Sequence, residues 1–291
     1  MAKIAASHFR LALGMACLLA VSTVVAAEPV RLQFTTDVVP ILTKLGCNSG
    51  GCHGKATGQN GFKLSLLGFE PQLDYQAVVK EARGRRLFFS DASRSLVLRK
   101  ATGQVPHGGG KRLDVGSRDY QVLLRWVQQG AVAPTDQDIT LQKISVAPGQ
   151  LVMECNATRQ LRVTALFSDG TNRTVTGQAL FTSNEEEIAE VSEKGVLSTG
   201  QRGGLFTVMV RFGGKIATLH GAVPMEFQGA QREVVIRRLD ELAADFSDSP
   251  FDQLLWKQWR RLGIAPSPET DDATFIRRVT IDICGSLPTT E

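Results

Sequence analysis

A chain of 291 residues is long enough for two domains or a little more. Apolar residues make up 43% of it and charged residues 21%, the proportions of ordinary globular protein. The net charge is +4; with Lys3 and Arg10 set aside, 31 basic residues face 29 acidic ones. That balance argues against nucleic acid or an anionic membrane as partner. Residues 1–27 read as an export signal. Lys3 and Arg10 make a basic start, Leu11 to Ala20 is apolar, and Val25-Ala26-Ala27 offers a cleavage site before Glu28. The apolar run is broken by Ser22 and Thr23 and is short for a stable membrane span, the alternative being an uncleaved anchor. Cys17 lies too early in it for a lipoprotein site. No other segment approaches membrane length, so the expectation is an exported protein, periplasmic or at the cell surface, with no span after cleavage.

Residues 28–135 carry helical signals. Thr36 or Asp37 can cap a helix holding Val38, Val39, Ile41, Leu42 and Leu45, with Pro40 in its first turn. A second helix is expected over Leu73–Arg86 and a third over Ser117–Gln129, stopping at Gly130. The basic cluster at Arg83 to Arg86 reads as a solvated face, as does Arg237-Arg238. Pro134 and a polar tetrapeptide then make a linker. Residues 139–224 alternate in short runs, such as Leu161 to Phe167 and Phe206 to Phe212, with turn signals between them, and predict an antiparallel sandwich. Residues 230–291 return to helix. Ser249 caps and Pro250 opens one with Phe251, Leu254, Leu255, Trp259 and Leu262 on a stripe, ended by Gly263. Asp271 and Asp272 start another, with Phe275, Ile276, Val279 and Ile283 expected to be buried. Two amphipathic helices cannot close a core, so a longer parent protein is expected.

One constellation carries chemistry: Cys47-Asn48-Ser49-Gly50-Gly51-Cys52-His53. Two cysteines followed at once by histidine can take a c-type haem, the thiols forming thioethers with the vinyl groups and the imidazole ligating iron. The usual spacing leaves two residues between the cysteines; here there are four. Gly50 and Gly51 would loop out the excess by adopting positive φ. A low-spin haem needs a second axial ligand, His or Met. Between Glu28 and Gln150 there is no methionine, and the only histidines are His53 and His107. His107 lies in Val105-Pro106-His107-Gly108-Gly109-Gly110, where glycines allow backbone to pack against a flat ring. The expectation is haem c (iron) held by Cys47 and Cys52 with His53 and His107 axial. The alternatives are a Cys47–Cys52 disulfide beside a surface histidine, and a zinc site from the same four residues, for which adjacent Cys52 and His53 are poor joint ligands. Cys155 and Cys284 read as buried thiols and His220 as a strand residue without chemistry. No catalytic set emerges: Asp271-Asp272 is helix capping, Glu185 to Glu187 a loop charge run, and Gly108-Gly109-Gly110-Lys111 lacks phosphate-loop spacing.

The stretch Phe34 to Leu42, through Cys52-His53-Gly54, resembles the planctomycete-type cytochrome c domain. Residues 139–224 resemble the bacterial immunoglobulin-like group 2 domain, through Ile144 to Pro148, Phe167 to Thr171 and Gly195-Val196-Leu197. Residues 250–291 resemble the start of an uncharacterised planctomycete domain, through Leu262 to Pro268, Asp272 to Arg278 and Gly285 to Pro288. Together they imply an all-α cytochrome c-like domain, an all-β immunoglobulin-like sandwich and a short helical segment cut from a large exported protein. The function expected is single-electron transfer to a partner the sequence does not identify, or supply of haem to an enzyme domain beyond Glu291. The alternative is a surface binding or structural protein whose immunoglobulin-like domain contacts an extracellular ligand.

Overall fold

The computed structural model describes residues 31–226, 230–243 and 249–289. The export signal expected at 1–27 lies outside them. Phe34–Val38 form a single π-helical turn that leads into α1 (Val39–Lys44). Asp37 does not cap α1. Its carboxylate accepts from the Gln33 amide at 2.8 Å and closes the π turn. Three more helices follow: α2 (Pro71–Tyr75), α3 (Leu96–Ala101) and α4 (Arg118–Gln128). In α4 the Ser117 hydroxyl accepts from the Tyr120 amide at 3.2 Å, satisfying an orphan donor of the first turn. Its buried stripe of Leu123, Trp126 and Val127 meets Phe34, Ile41 and Leu98. The Phe34 ring lies 5.3 Å from Trp126 and edge-on to Tyr75 at 5.5 Å.

The helix expected over Leu73–Arg86 is broken. After α2 the chain takes a π turn (Gln76–Lys80) and then a 3-10 turn in which Ala82 and Arg83 have φ of 50° and 60°. The break has a chemical cause. The Glu81 amide bonds Gln76 instead of Ala77, so the Ala77 carbonyl is free to accept from the Arg86 guanidinium at 2.6 Å. Arg86 is 5% exposed and also donates to the carbonyls of Glu81 and Gly61. A buried guanidinium needs such partners, and a continuous helix would deny them.

Ten strands follow: β1 (Leu141–Ala147), β2 (Gln150–Val152), β3 (Thr158–Gln160), β4 (Arg162–Phe167), β5 (Asn172–Thr174), β6 (Leu180–Ser183), β7 (Ala189–Val191), β8 (Val196–Thr199), β9 (Gly204–Phe212) and β10 (Lys215–Val223). They form sheets β1-β4-β5, β2-β10-β9-β6 and β3-β8-β7 in a sandwich-like arrangement. Pairing is antiparallel except for β2 alongside β10, which is parallel. Alternation along β9 buries Phe206, Val208, Val210 and Phe212 on one side. Gly213 and Gly214, both with positive φ, turn β9 into β10.

Helices α5 (Ala230–Glu241), α6 (Pro250–Leu262) and α7 (Asp272–Cys284) complete the chain. Their caps are those expected. The Ser249 hydroxyl accepts from Asp252, the Asp271 carboxylate from Thr274, and Gly263 and Gly285 take left-handed C-caps. Arg261 ties α6 to the sandwich through the carbonyls of Leu151 and His220, at 2.8 and 3.0 Å. The expected burial in α7 does not occur: Phe275, Ile276 and Ile283 are exposed, because no described element packs on that face. Cys284 is exposed too, and Cys155 is half-buried in the turn between β2 and β3.

The architecture therefore corrects the expected series of an all-α cytochrome c-like domain and a separate all-β domain. Leu32–Glu291 form one compact unit of mixed helix and sheet. The segment before the strands is short helices joined by long irregular turns, not an all-α domain. Among the described residues no helix is long and apolar enough to cross a membrane.

Gly221 of β10 faces Phe206 of β9, and a Cβ there would come within 2.0 Å of the ring. Gly221→Ala is expected to cost about 1–3 kcal/mol through overpacking, read by denaturant unfolding. Gly177→Ala, which meets nothing within 4 Å, should change stability by less than about 0.5 kcal/mol.

Candidate functional site

The site begins where α1 ends. Gly46 takes a left-handed conformation (φ 71°), and the Cys47 amide returns to the Leu42 carbonyl at 2.8 Å. Residues 47–54 close on themselves: Cys52 N–H donates to Ser49, Gly54 N–H to Ser49, and His53 N–H to the Cys47 carbonyl at 3.0 Å. Gly50 and Gly51 do not supply the positive φ expected of them; Gly46 does. Two further residues hold the loop. Asn48 is fully buried, donates to the Thr43 hydroxyl at 2.9 Å and accepts from the Leu67 amide through its carbonyl. Gly54 lets the chain pass that same carbonyl, since a Cβ would stand 2.0 Å from it. Glycine after Cys-His was the visible signal for the second. Nothing in the sequence marks Asn48 as buried.

His53 Nδ1 lies 3.0 Å from the Phe62 carbonyl, and His107 Nδ1 lies 2.9 Å from the Gly110 carbonyl. A carbonyl can only accept, so each Nδ1 carries the proton and donates. In the neutral ring each Nε2 is then left with a free lone pair. The two imidazoles are 54 residues apart in sequence, yet their centroids are 6.2 Å apart with planes only 9° from parallel. Burial holds the His53 pKa below its ordinary value against the opposing Phe62 bond, and the positive fields of His107, Arg86 and Lys100 lower it further. The lowered pKa favours the neutral ring. The Phe62 ring packs on it at 4.5 Å, and the Arg86 guanidinium lies 4.4 Å over that Phe62 ring.

Cys47, Cys52, His53 and His107 all line one cavity of about 630 Å³, a size typical of small-molecule sites. Leu42, Val97, Ala101 and Leu123 supply apolar wall. Its charged lining is wholly cationic: Arg85, Arg86, Lys100 and Arg112, with no carboxylate. The cluster taken from sequence as a solvated face thus turns Arg86 into the wall. Both cysteines are free thiols. Burial pushes the Cys47 thiol up to about 11, with the Cys52 charge adding to the rise and Arg112 opposing it. Among the described residues no group of three or more His, Cys, Asp or Glu side chains is placed to hold a metal ion, so the zinc alternative has no geometric support. His220 lies outside the cavity, on β10 beside Thr207 at 3.2 Å.

Residues 250–291 match the family model described as "PSCyt2: Protein of unknown function (DUF1549)". This is the stretch that resembles the start of an uncharacterised planctomycete domain. No curated protein matches the chain. Among solved structures it is similar to the S-layer protein rSbsC(31-844), with 22% identity, 32% of this chain and 14% of that one covered, and a TM-score of 0.28. It is also similar to the S-layer protein SbsC, domains 5-6, with 22% identity, 32% of this chain and 48% of that one, and a TM-score of 0.27. The chain spans less than half the length of either. Scores of this size carry no argument about fold or function.

Iodoacetamide at pH 8 should modify the exposed Cys284 readily and leave Cys47 unmodified over the same period, because a thiol with a pKa near 11 is almost wholly protonated there. Peptide mass mapping reads the result. Equal labelling of the two would show that Cys47 is neither buried nor shifted.

Proposed function

We propose that this protein is an exported c-type cytochrome, with one haem held covalently in the Cys47–His53 cavity and used for single-electron transfer. The supporting observation is the pair of imidazoles. His53 and His107 have ring centroids 6.2 Å apart in near-parallel, stacked planes, and each keeps Nε2 free on the lining of one cavity. The cavity's remaining lining suits the same group. Its apolar wall fits a flat macrocycle, and Arg85, Lys100 and Arg112 are lining cations suited to the two carboxylates that such a macrocycle carries.

In this reading the Cys47 and Cys52 thiols would hold the group covalently through thioethers. The closure from His53 N–H to the Cys47 carbonyl keeps both cysteines on the lining of one cavity, which supports this reading despite the four-residue spacing. The Phe62 and Gly110 carbonyls fix the tautomer and orientation of the two rings, as partners of ligating histidines ordinarily do. When bound, the group supplies reversible one-electron chemistry. Bis-imidazole ligation favours a low reduction potential, and the surrounding cations raise it by disfavouring the more positive oxidised state. The electron partner would be a protein of the same exported compartment. A disulfide reading gains no observation, since both thiols are free.

Expression with a c-type haem maturation system should give a band that stains for haem on a denaturing gel and is lost in Cys52→Ser. His107→Ala should convert a low-spin ferric spectrum to high-spin. A colourless wild-type protein, or a low-spin spectrum unchanged in His107→Ala, would contradict the proposal.

A further inference from the structure

We propose that Lys100 and Arg112 form a carboxylate clamp that couples binding of the cavity's anionic ligand to the placement of His107; this rests on the haem reading above. The two cations do two jobs at once. Each lines the cavity, and each holds the loop that carries His107. Lys100 Nζ donates to the Pro106 carbonyl at 3.0 Å, and Arg112 Nε donates to the Gly109 carbonyl at 2.8 Å. Beyond these, the Val105–Gly110 loop is tied to the rest of the chain by the Val105 amide, which donates to the Arg99 carbonyl at 3.3 Å. It contains no helix or strand, and its internal bonds are Gly110 N–H to the His107 carbonyl and His107 Nδ1–H to the Gly110 carbonyl.

Donor counting shows what remains. A lysine ammonium has three donors and a guanidinium five, so after one bond each both keep donors to spare. Among the described residues neither is in a salt bridge: Lys111, between them, pairs with Asp114, while Lys100 and Arg112 have no carboxylate. Arg86 differs, its guanidinium being spent on three backbone carbonyls and the Phe62 face. Two unpaired cations on an apolar cavity fit an amphipathic dianion, and carboxylates bonded to them would form charge-assisted hydrogen bonds. Those bonds would hold the same nitrogen-bearing groups that fix Pro106 and Gly109. The ligand's carboxylates then stiffen the segment that presents the His107 ring, and Lys100 and Arg112 act as positioning residues for it.

The test loads reduced apoprotein in vitro with haem or with haem dimethyl ester, which keeps both vinyl groups and loses both negative charges. The readouts are the low-spin fraction of the ferric protein and the affinity for added cyanide, which must displace His107. Wild type with haem should be low-spin. Wild type with the diester, and Lys100→Met/Arg112→Met with haem, should both gain high-spin signal and bind cyanide roughly tenfold more tightly, about the worth of one charge-assisted bond. Lys100→Arg/Arg112→Lys should restore wild-type behaviour with haem. Diester-loaded wild type that matches haem-loaded wild type would overturn the clamp while leaving the haem reading intact, as would a double Met variant with an unchanged spectrum and cyanide affinity. Wild type that takes neither compound would overturn both.

Discussion

Two backbone carbonyls set the geometry on which the rest depends. Phe62 and Gly110 each accept a hydrogen bond from an imidazole Nδ1, which leaves a lone pair on each Nε2 of two rings that line one cavity. Neither carbonyl belongs to a helix or a long strand. Each is placed by a turn: Gln59 to Phe62 by a small bridge, and His107 to Gly110 by a tight loop. The core serves to hold these turns at the right separation. Phe34, Ile41, Leu98 and Trp126 pack α1, α3 and α4 together, and those helices anchor the loops bearing Cys47 and His107. A 1 Å change in that packing would alter the ring spacing by a comparable amount, so the site depends on the precision of the core as well as on its own residues.

Charge is arranged around this pair with the same economy. Basic residues outnumber acidic ones only slightly over the whole chain, yet every charged group on the cavity is a cation. The broken helix after α2 is part of that arrangement. Its π and 3-10 turns free the carbonyls that let Arg86 sit in the wall almost without exposure. Regular structure is given up locally, and a buried charge gains three acceptors and an aromatic face in return.

What the sequence made legible follows from what kinds of signal are local. Caps and stops are local, and Ser249, Asp271, Gly263 and Gly285 stand where they were expected. Strand alternation from β4 to β10 is local too. The Cys-Cys-His loop and His107 were singled out by residue type and by elimination, and the fold brings all four to one cavity. What failed was long-range. Asp37 bonds back to Gln33 and not forward into α1. The left-handed turn sits at Gly46 and not at Gly50-Gly51, because Asn48 is pulled inward to Thr43. Arg86 read as surface because no pattern reveals a carbonyl waiting for it. The apolar face of α7 read as buried because periodicity shows which side is apolar and not whether anything covers it. The picture of a separate all-α domain failed because many short turns carry helical composition without helical continuity.

The central claim is that His53 and His107, each held by its Nδ1 bond, would be the two nitrogen ligands of one haem iron. Electron paramagnetic resonance of the ferric wild-type protein, loaded with covalent haem and without added ligands, tests it most directly. A fully low-spin signal is predicted, since both axial positions are filled by nitrogen. A dominant high-spin signal would show that His53 and His107 do not meet on one iron, and would contradict the account.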